Sequence, residues 1–92
     1  MVHKTIAFRS NSQNYDVRVV ETNNGFDVRV YRADGRAANG YRYHVDHMTN
    51  MDHVVTNGRP AYEHLVEIAK SDVENRVWEA YVAAVRGDNS NA

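Results

Sequence analysis

From Arg59 to Gly87 the apolar residues keep helical time, and no other stretch of the chain does. At about 100° per residue, Leu65, Val66, Ala69, Val73, Val77, Ala80 and Ala84 fall in one stripe with Tyr81 at its margin, while Glu63, Glu67, Ser71, Asn75 and Glu79 lie outside it. The spacing predicts an amphipathic helix with one face turned to a core. Pro60 suits the first helical position, where its missing N–H would be unpaired in any case, and Gly87 suits a left-handed C-terminal cap. Ser71-Asp72-Val73-Glu74 has the form of a capping box, which would start a second helix at Asp72. The unbroken phase of the stripe favours one long helix.

Such a face needs a partner layer, and the residues before Arg59 read as strands. Met1 to Arg9 alternates, with Ile6 and Phe8 on one side and His3, Thr5, Ala7 and Arg9 on the other, as an edge strand would. Ser10 to Asn14 is a polar turn. Tyr15 to Asn23 and Phe26 to Arg32 flank Asn24-Gly25, a strong signal for a two-residue hairpin loop. That loop sets Asn23 opposite Phe26, Val19 opposite Val30 and Val17 opposite Arg32, and it gathers Val17, Val19, Phe26, Val28 and Val30 on one face. Ala33 to Gly40 reads as an exposed loop. Tyr41 to Met48 forms a fourth strand with Tyr41, Tyr43 and Val45 inward, and Thr49 to Gly58 a connector whose Val54 and Val55 dock under the helix. The expected fold is α+β, a four-stranded antiparallel meander with one long C-terminal helix packed on one face in two layers. Residues 1–87 make a single domain and residues 88–92 a frayed tail. Whether the helix lies on its own sheet or is swapped onto a partner's stays open.

Ninety-two residues can bury one modest core and not two. The chain has no cysteine, which excludes disulfides and thiol chemistry, and it shows no cofactor motif. No apolar run approaches the roughly 20 residues of a membrane span, and the N-terminal residues lack an apolar signal core, so a cytoplasmic protein without a membrane partner is expected. A net charge of −1 argues against a strongly electrostatic nucleic-acid binder.

Three constellations stand out as candidate sites. The first is Trp78, Val82 and Val85, which project opposite the main stripe. A tryptophan flanked by aliphatics on an otherwise polar helix face marks a partner surface, in the first instance a two-fold homodimer. The second is the open face of the sheet, where Arg9, Arg18, Arg29 and Arg42 surround Tyr31. This arrangement could grip a phosphate backbone and stack a base, although Asp16, Asp27 and Asp46 share the face. The third is His44, Asp46, His53 and His64, residue types suited to a metal or to general-base hydrolysis, but without the spacing of a dense ligand motif. A non-enzymatic interaction module, homodimeric by this reasoning, is therefore the leading expectation, ahead of weak single-stranded nucleic-acid binding and of a small metal- or histidine-dependent hydrolase. Five tyrosines, Tyr15, Tyr41, Tyr43, Tyr62 and Tyr81, fall at or near the inward face, and their hydroxyls are expected to reach its rim.

Overall fold

The computed structural model describes residues 2–90. Four strands, β1 (Val2–Ser10), β2 (Gln13–Thr22), β3 (Gly25–Arg32) and β4 (Tyr43–Asp46), form one antiparallel sheet in the order β1-β2-β3-β4. Three helices follow, α1 (His47–Asn57), α2 (Ala61–Glu74) and α3 (Val77–Ser90). The architecture is α+β. Among the described residues no helix is long and apolar enough to cross a membrane.

The two hairpins close by different means. Between β1 and β2, Asn11 and Ser12 take φ of 52° and 64°, the left-handed pair that a type I′ turn requires. Between β2 and β3 the loop is Asn23-Asn24, with Thr22 opposite Gly25, Val19 opposite Val28 and Val17 opposite Val30. The pairing is thus shifted by two residues from the expected one. Gly25 is drawn out of the turn because β4 passes beside it: a Cβ there would lie 2.0 Å from the Val45 carbonyl oxygen, at a φ of 151°. Because side chains alternate with period two, a shift of two leaves every residue on its expected face. Val17, Val19, Val28 and Val30 are accordingly buried beside Phe26 and Val45. His3 does change sides. A bulge between Val2 and Lys4 turns its ring onto Phe26, at 5.3 Å between centroids, and onto Tyr62.

The helical half departs from the single long helix. β4 ends at Asp46, whose carboxylate accepts from the Thr49 backbone N–H at 2.7 Å and from its hydroxyl at 3.0 Å. This N-cap starts α1 where a connector was expected. Gly58, at φ 73°, ends it by donating to the Val54 carbonyl, a left-handed cap. Val54 and Val55 do not dock under a helix; they are exposed on α1. Pro60 stands one residue before α2, and the Asn50 side chain accepts from the Tyr62 N–H at 3.3 Å, a cap that the proline ring cannot supply. Ala61, Val66, Ala69 and Val73 then bury the α2 stripe on the sheet.

The break falls at Asn75-Arg76 and not at Asp72. Arg76 adopts φ 53°, and α2 ends with the Asn75 and Arg76 N–H groups donating to the Ser71 and Val73 carbonyls. Ser71 does not cap a second helix, because α2 runs through it to Glu74; its hydroxyl accepts from the Asn75 side-chain amide at 3.1 Å, and the Tyr43 hydroxyl donates to the Asp72 carboxylate. Beyond the break α3 packs on α2 and on no other element. It runs through Gly87 to Ser90 where a cap and a tail were expected; Asn91 and Ala92, with Met1, lie outside the described residues.

Gly25 and Gly35 separate close approach from conformation. Gly35 also has a left-handed φ, 87°, but nothing lies within 4 Å of its missing Cβ. Gly35→Ala is expected to cost about 1–2 kcal/mol for the backbone conformation alone. Gly25→Ala is expected to cost about 1–3 kcal/mol more, because the Val45 backbone must move. Urea unfolding midpoints of the two variants check the difference.

Candidate functional site

Residues 33–40, expected to be an exposed loop, fold back as a platform, and Tyr41 and Arg42, expected to open the fourth strand, precede β4. Tyr31 bridges to Ala37, Ala38 donates to the Val30 carbonyl at 2.9 Å, and Ala38 and Asn39 are buried. Asn39 satisfies its side-chain oxygen by accepting from the Tyr41 N–H at 3.0 Å. The Trp78 ring lies on this platform. It contacts Gly40 so closely that a Cβ there would sit 2.4 Å from the indole, and it meets the Tyr41 ring edge-on at 5.2 Å.

Of the expected partner surface, therefore, Trp78 and Val82 turn onto the chain's own loop and line a cleft beside it, while Val85 remains 46% exposed. The stripe that was to continue the core is left open: Val77 and Tyr81 are 38% and 51% exposed, with the Tyr81 ring stacked on that of Trp78 at 5.7 Å, and Ala80 and Ala84 are exposed beside them. The residue at φ 53° is responsible, since it swings α3 off the axis of α2 and exchanges the roles of the two faces. A second open apolar face lies on α1, where Met48, Met51 and Val55 share one side and are all exposed. Its spacing of three and four residues was visible in the sequence once Asp46 is taken as a cap.

On the open sheet face the arginines are partly engaged. Arg18 lies opposite Arg29, and both reach Tyr31, the Arg18 guanidinium at 4.2 Å and that of Arg29 at 5.7 Å from the ring centroid. Tyr31 is paired with Asp16 and not with Arg18. Arg42 precedes β4, and Arg9 sits opposite Asn14, four rungs from Arg18 along the sheet, or about 13 Å. The cation stacked on Tyr31 occupies the ring face that a base would need.

The histidine and carboxylate group is dispersed. His44 Nδ1 meets Asp27 Oδ1 at 2.6 Å on the open face, Asp46 caps α1, and His53 and His64 line a cleft between β1 and α2. Among the described residues no three His, Asp or Glu side chains are grouped to hold a metal. The tyrosines sit at the rim or outside it: Tyr15 donates to Gln13, Tyr43 to Asp72, Tyr62 bonds with His3, and none of the five is fully buried.

The β1–α2 cleft encloses 720 Å³. Ile6, Tyr62 and Val66 give it apolar walls, and Lys4, Arg59 and Lys70 reach it from three different segments. Reading the strands for their core face alone missed it, because Lys4 lies on that same inward side with no core to enter.

Two ionisable groups report on the framework. Burial, then the hydrogen bond to Asp72, pushes the Tyr43 hydroxyl well above the ordinary tyrosine range, so it stays a donor. The Thr49 backbone N–H, then the Thr49 hydroxyl, hold the Asp46 carboxyl below the usual carboxylate range. Comparison with family models, curated proteins and solved structures finds no match.

Tyr43→Phe, which leaves the half-buried Asp72 carboxylate without its donor, is expected to destabilise the fold by about 1–3 kcal/mol in urea unfolding. Asp46, with its lowered value, stabilises α1 above the ordinary carboxylate pKa of 3.8, and that contribution disappears as pH falls through its folded value below it. Acid titration followed by far-UV circular dichroism should therefore show a partial loss of helix below pH 3.8. Asp46→Asn, which keeps the cap and removes the titration, should abolish that step.

Proposed function

We propose that the chain is a small non-enzymatic interaction module that associates with a second copy of itself through α3. The observation that carries this reading is the open side of α3, where Val77, Tyr81 and Val85 are 38%, 51% and 46% exposed on a helix that packs against α2 alone among the elements. Apolar residues at i, i+4 and i+8 form a continuous ridge. Ala80 and Ala84 lie beside that ridge and would let a second helix approach closely. A two-fold pairing makes one such face complementary to itself and closes after two copies. One helix of this length gives a small interface, which places the association among weak, concentration-dependent ones.

The geometry lends more support to this role than to chemistry. The side chains that resemble a catalytic set are spread over the open face, a helix cap and the β1–α2 cleft. The arginine face has its aromatic already covered by Arg18, which weakens the nucleic-acid reading.

Sedimentation velocity across a concentration series tests the proposal. The wild type is expected to show a monomer–dimer equilibrium, and Val85→Glu to be monomeric with an unchanged urea midpoint. Trp78→Glu should instead lower the midpoint, since that ring is part of the chain's own packing. A wild type that is monomeric throughout the series would overturn the reading.

A further inference from the structure

We infer that the free edge of β1 takes up an extended peptide strand of a protein partner, and that the β1–α2 cleft selects the side chains on one face of that strand. The inference does not depend on pairing through α3. β1 is an outer strand of the sheet, and among the described residues only β2 pairs with it. Ser10 and Gln13 close the two-residue loop, so Ser10, Phe8, Ile6 and Lys4 carry the rungs that bond to β2, while Thr5, Ala7 and Arg9 direct N–H and C=O outward. The bulge between Val2 and Lys4 ends the regular ladder there. An edge of seven residues, Lys4 to Ser10, remains for a partner strand, about 23 Å long.

The cleft runs along this edge. At one end His3 bonds to the Tyr62 hydroxyl at 3.2 Å, and at the other the Lys70 ammonium lies 6.0 Å from the centre of the Phe8 ring. α2 therefore runs in the same direction as β1, with Ile6 and Val66 forming the walls between those two points. An added strand would turn every second side chain into this space, so main-chain bonds would give affinity and the cleft would give selectivity.

Charge identifies the occupant. Lys4 and Arg59 both line the cleft, and among the described residues neither has a carboxylate partner, whereas Lys70 is 3.8 Å from Glu67. Glu63 lies in the same cleft and offsets one of the two. An acidic side chain on the incoming strand would answer the remaining charge. A second copy cannot provide it through β1, which contains Lys4 and Arg9 and no Asp or Glu. Two-fold pairing centred on Ile6 or Ala7 would also carry the second copy's Lys4 to Phe8 or Ser10, towards Lys70. The strand that fits has apolar residues over Phe8 and Ile6 and an acid over Lys4, each separated by one residue.

An end-blocked peptide, Thr-Val-Thr-Val-Thr-Glu-Thr, places that pattern antiparallel to β1. Amide-resolved NMR titration of the full chain is expected to shift the Thr5, Ala7, Arg9 and Val66 signals, with exchange of the three β1 amides slowed about ten-fold at saturation. Proline at the third and fifth positions removes two ladder donors and should abolish the effect. Lys4→Glu should weaken binding about ten-fold, and a peptide with lysine in place of glutamate should recover it. No shifts at millimolar peptide, equal shifts with the proline peptide, or β1 amides already protected by a second copy would each overturn the inference. The same titration on Val85→Glu, expected to give identical shifts, separates this result from the fate of α3 pairing.

Discussion

The structure depends on how much of a four-stranded sheet one short helix can cover. Strands lie about 4.8 Å apart and a helix with its side chains is about 10 Å across, so α2 shields roughly two strands. The fully buried valines, Val17, Val19, Val28 and Val30, are on β2 and β3, the two central strands. Their burial, at about 1.5–3 kcal/mol for each side chain, fixes α2 over the middle of the sheet. The outer strands receive what is left. β4 is short, and Tyr43 ties it to α2 through Asp72. β1 keeps Ile6 and Phe8 only partly covered, and the β1–α2 cleft is the uncovered strip. The cleft thus follows from the size of the helix.

The sheet was legible in the sequence to the extent that period-two alternation is tolerant of error. Asn24-Gly25 pointed to the wrong turn centre, yet the two-residue shift kept Val17, Val19, Phe26, Val28 and Val30 on the core face. What alternation cannot register is a demand from a third strand. Gly25 is needed because the Val45 carbonyl passes where a Cβ would be, and that contact joins residues twenty positions apart. Asn11-Ser12, with the left-handed pair, showed only a polar composition. His3 was misassigned for a related reason, since one extra residue at the bulge inverts the side-chain direction before it.

The helical half was less legible because periodicity counts residues and is blind to a single dihedral. The stripe from Leu65 to Ala84 keeps phase across Asn75-Arg76, but Arg76 at φ 53° redirects everything after it. No glycine marks the break, and a left-handed arginine carries strain of about 1–2 kcal/mol. Packing of Trp78 against Gly40 and Tyr41 on the far side of the break favours this arrangement. The odd placement of Trp78 was readable; its partner was not, because the 33–40 segment has the composition of a solvated loop and buries Ala38 and Asn39 only after folding back. For α1 the signals were present and were outweighed: Asp46 with Thr49 at one end and Gly58 at the other were read through as strand and connector.

The proposed function rests on surfaces because the groups suited to chemistry are dispersed over the open sheet face, a helix cap and the β1–α2 cleft. Several charges on the open sheet face are engaged inside the chain, His44 with Asp27 and Arg18 and Arg29 with Tyr31. Engaged groups fix the sheet's geometry and leave little free energy for a ligand. Lys4 and Arg59 differ, since they face an apolar-walled cleft without a carboxylate partner among the described residues. An exposed cation is well solvated and needs no partner for stability, so nothing in the fold forces that placement. The apolar ridge of α3 has the same character: Val77 and Val85 retain helical spacing and stay 38% and 46% exposed, with Tyr81 half-exposed between them and stacked on Trp78. β1 and α3 precede and follow α2 in the chain and share no residue, so the proposed strand addition and the proposed helix pairing would not compete.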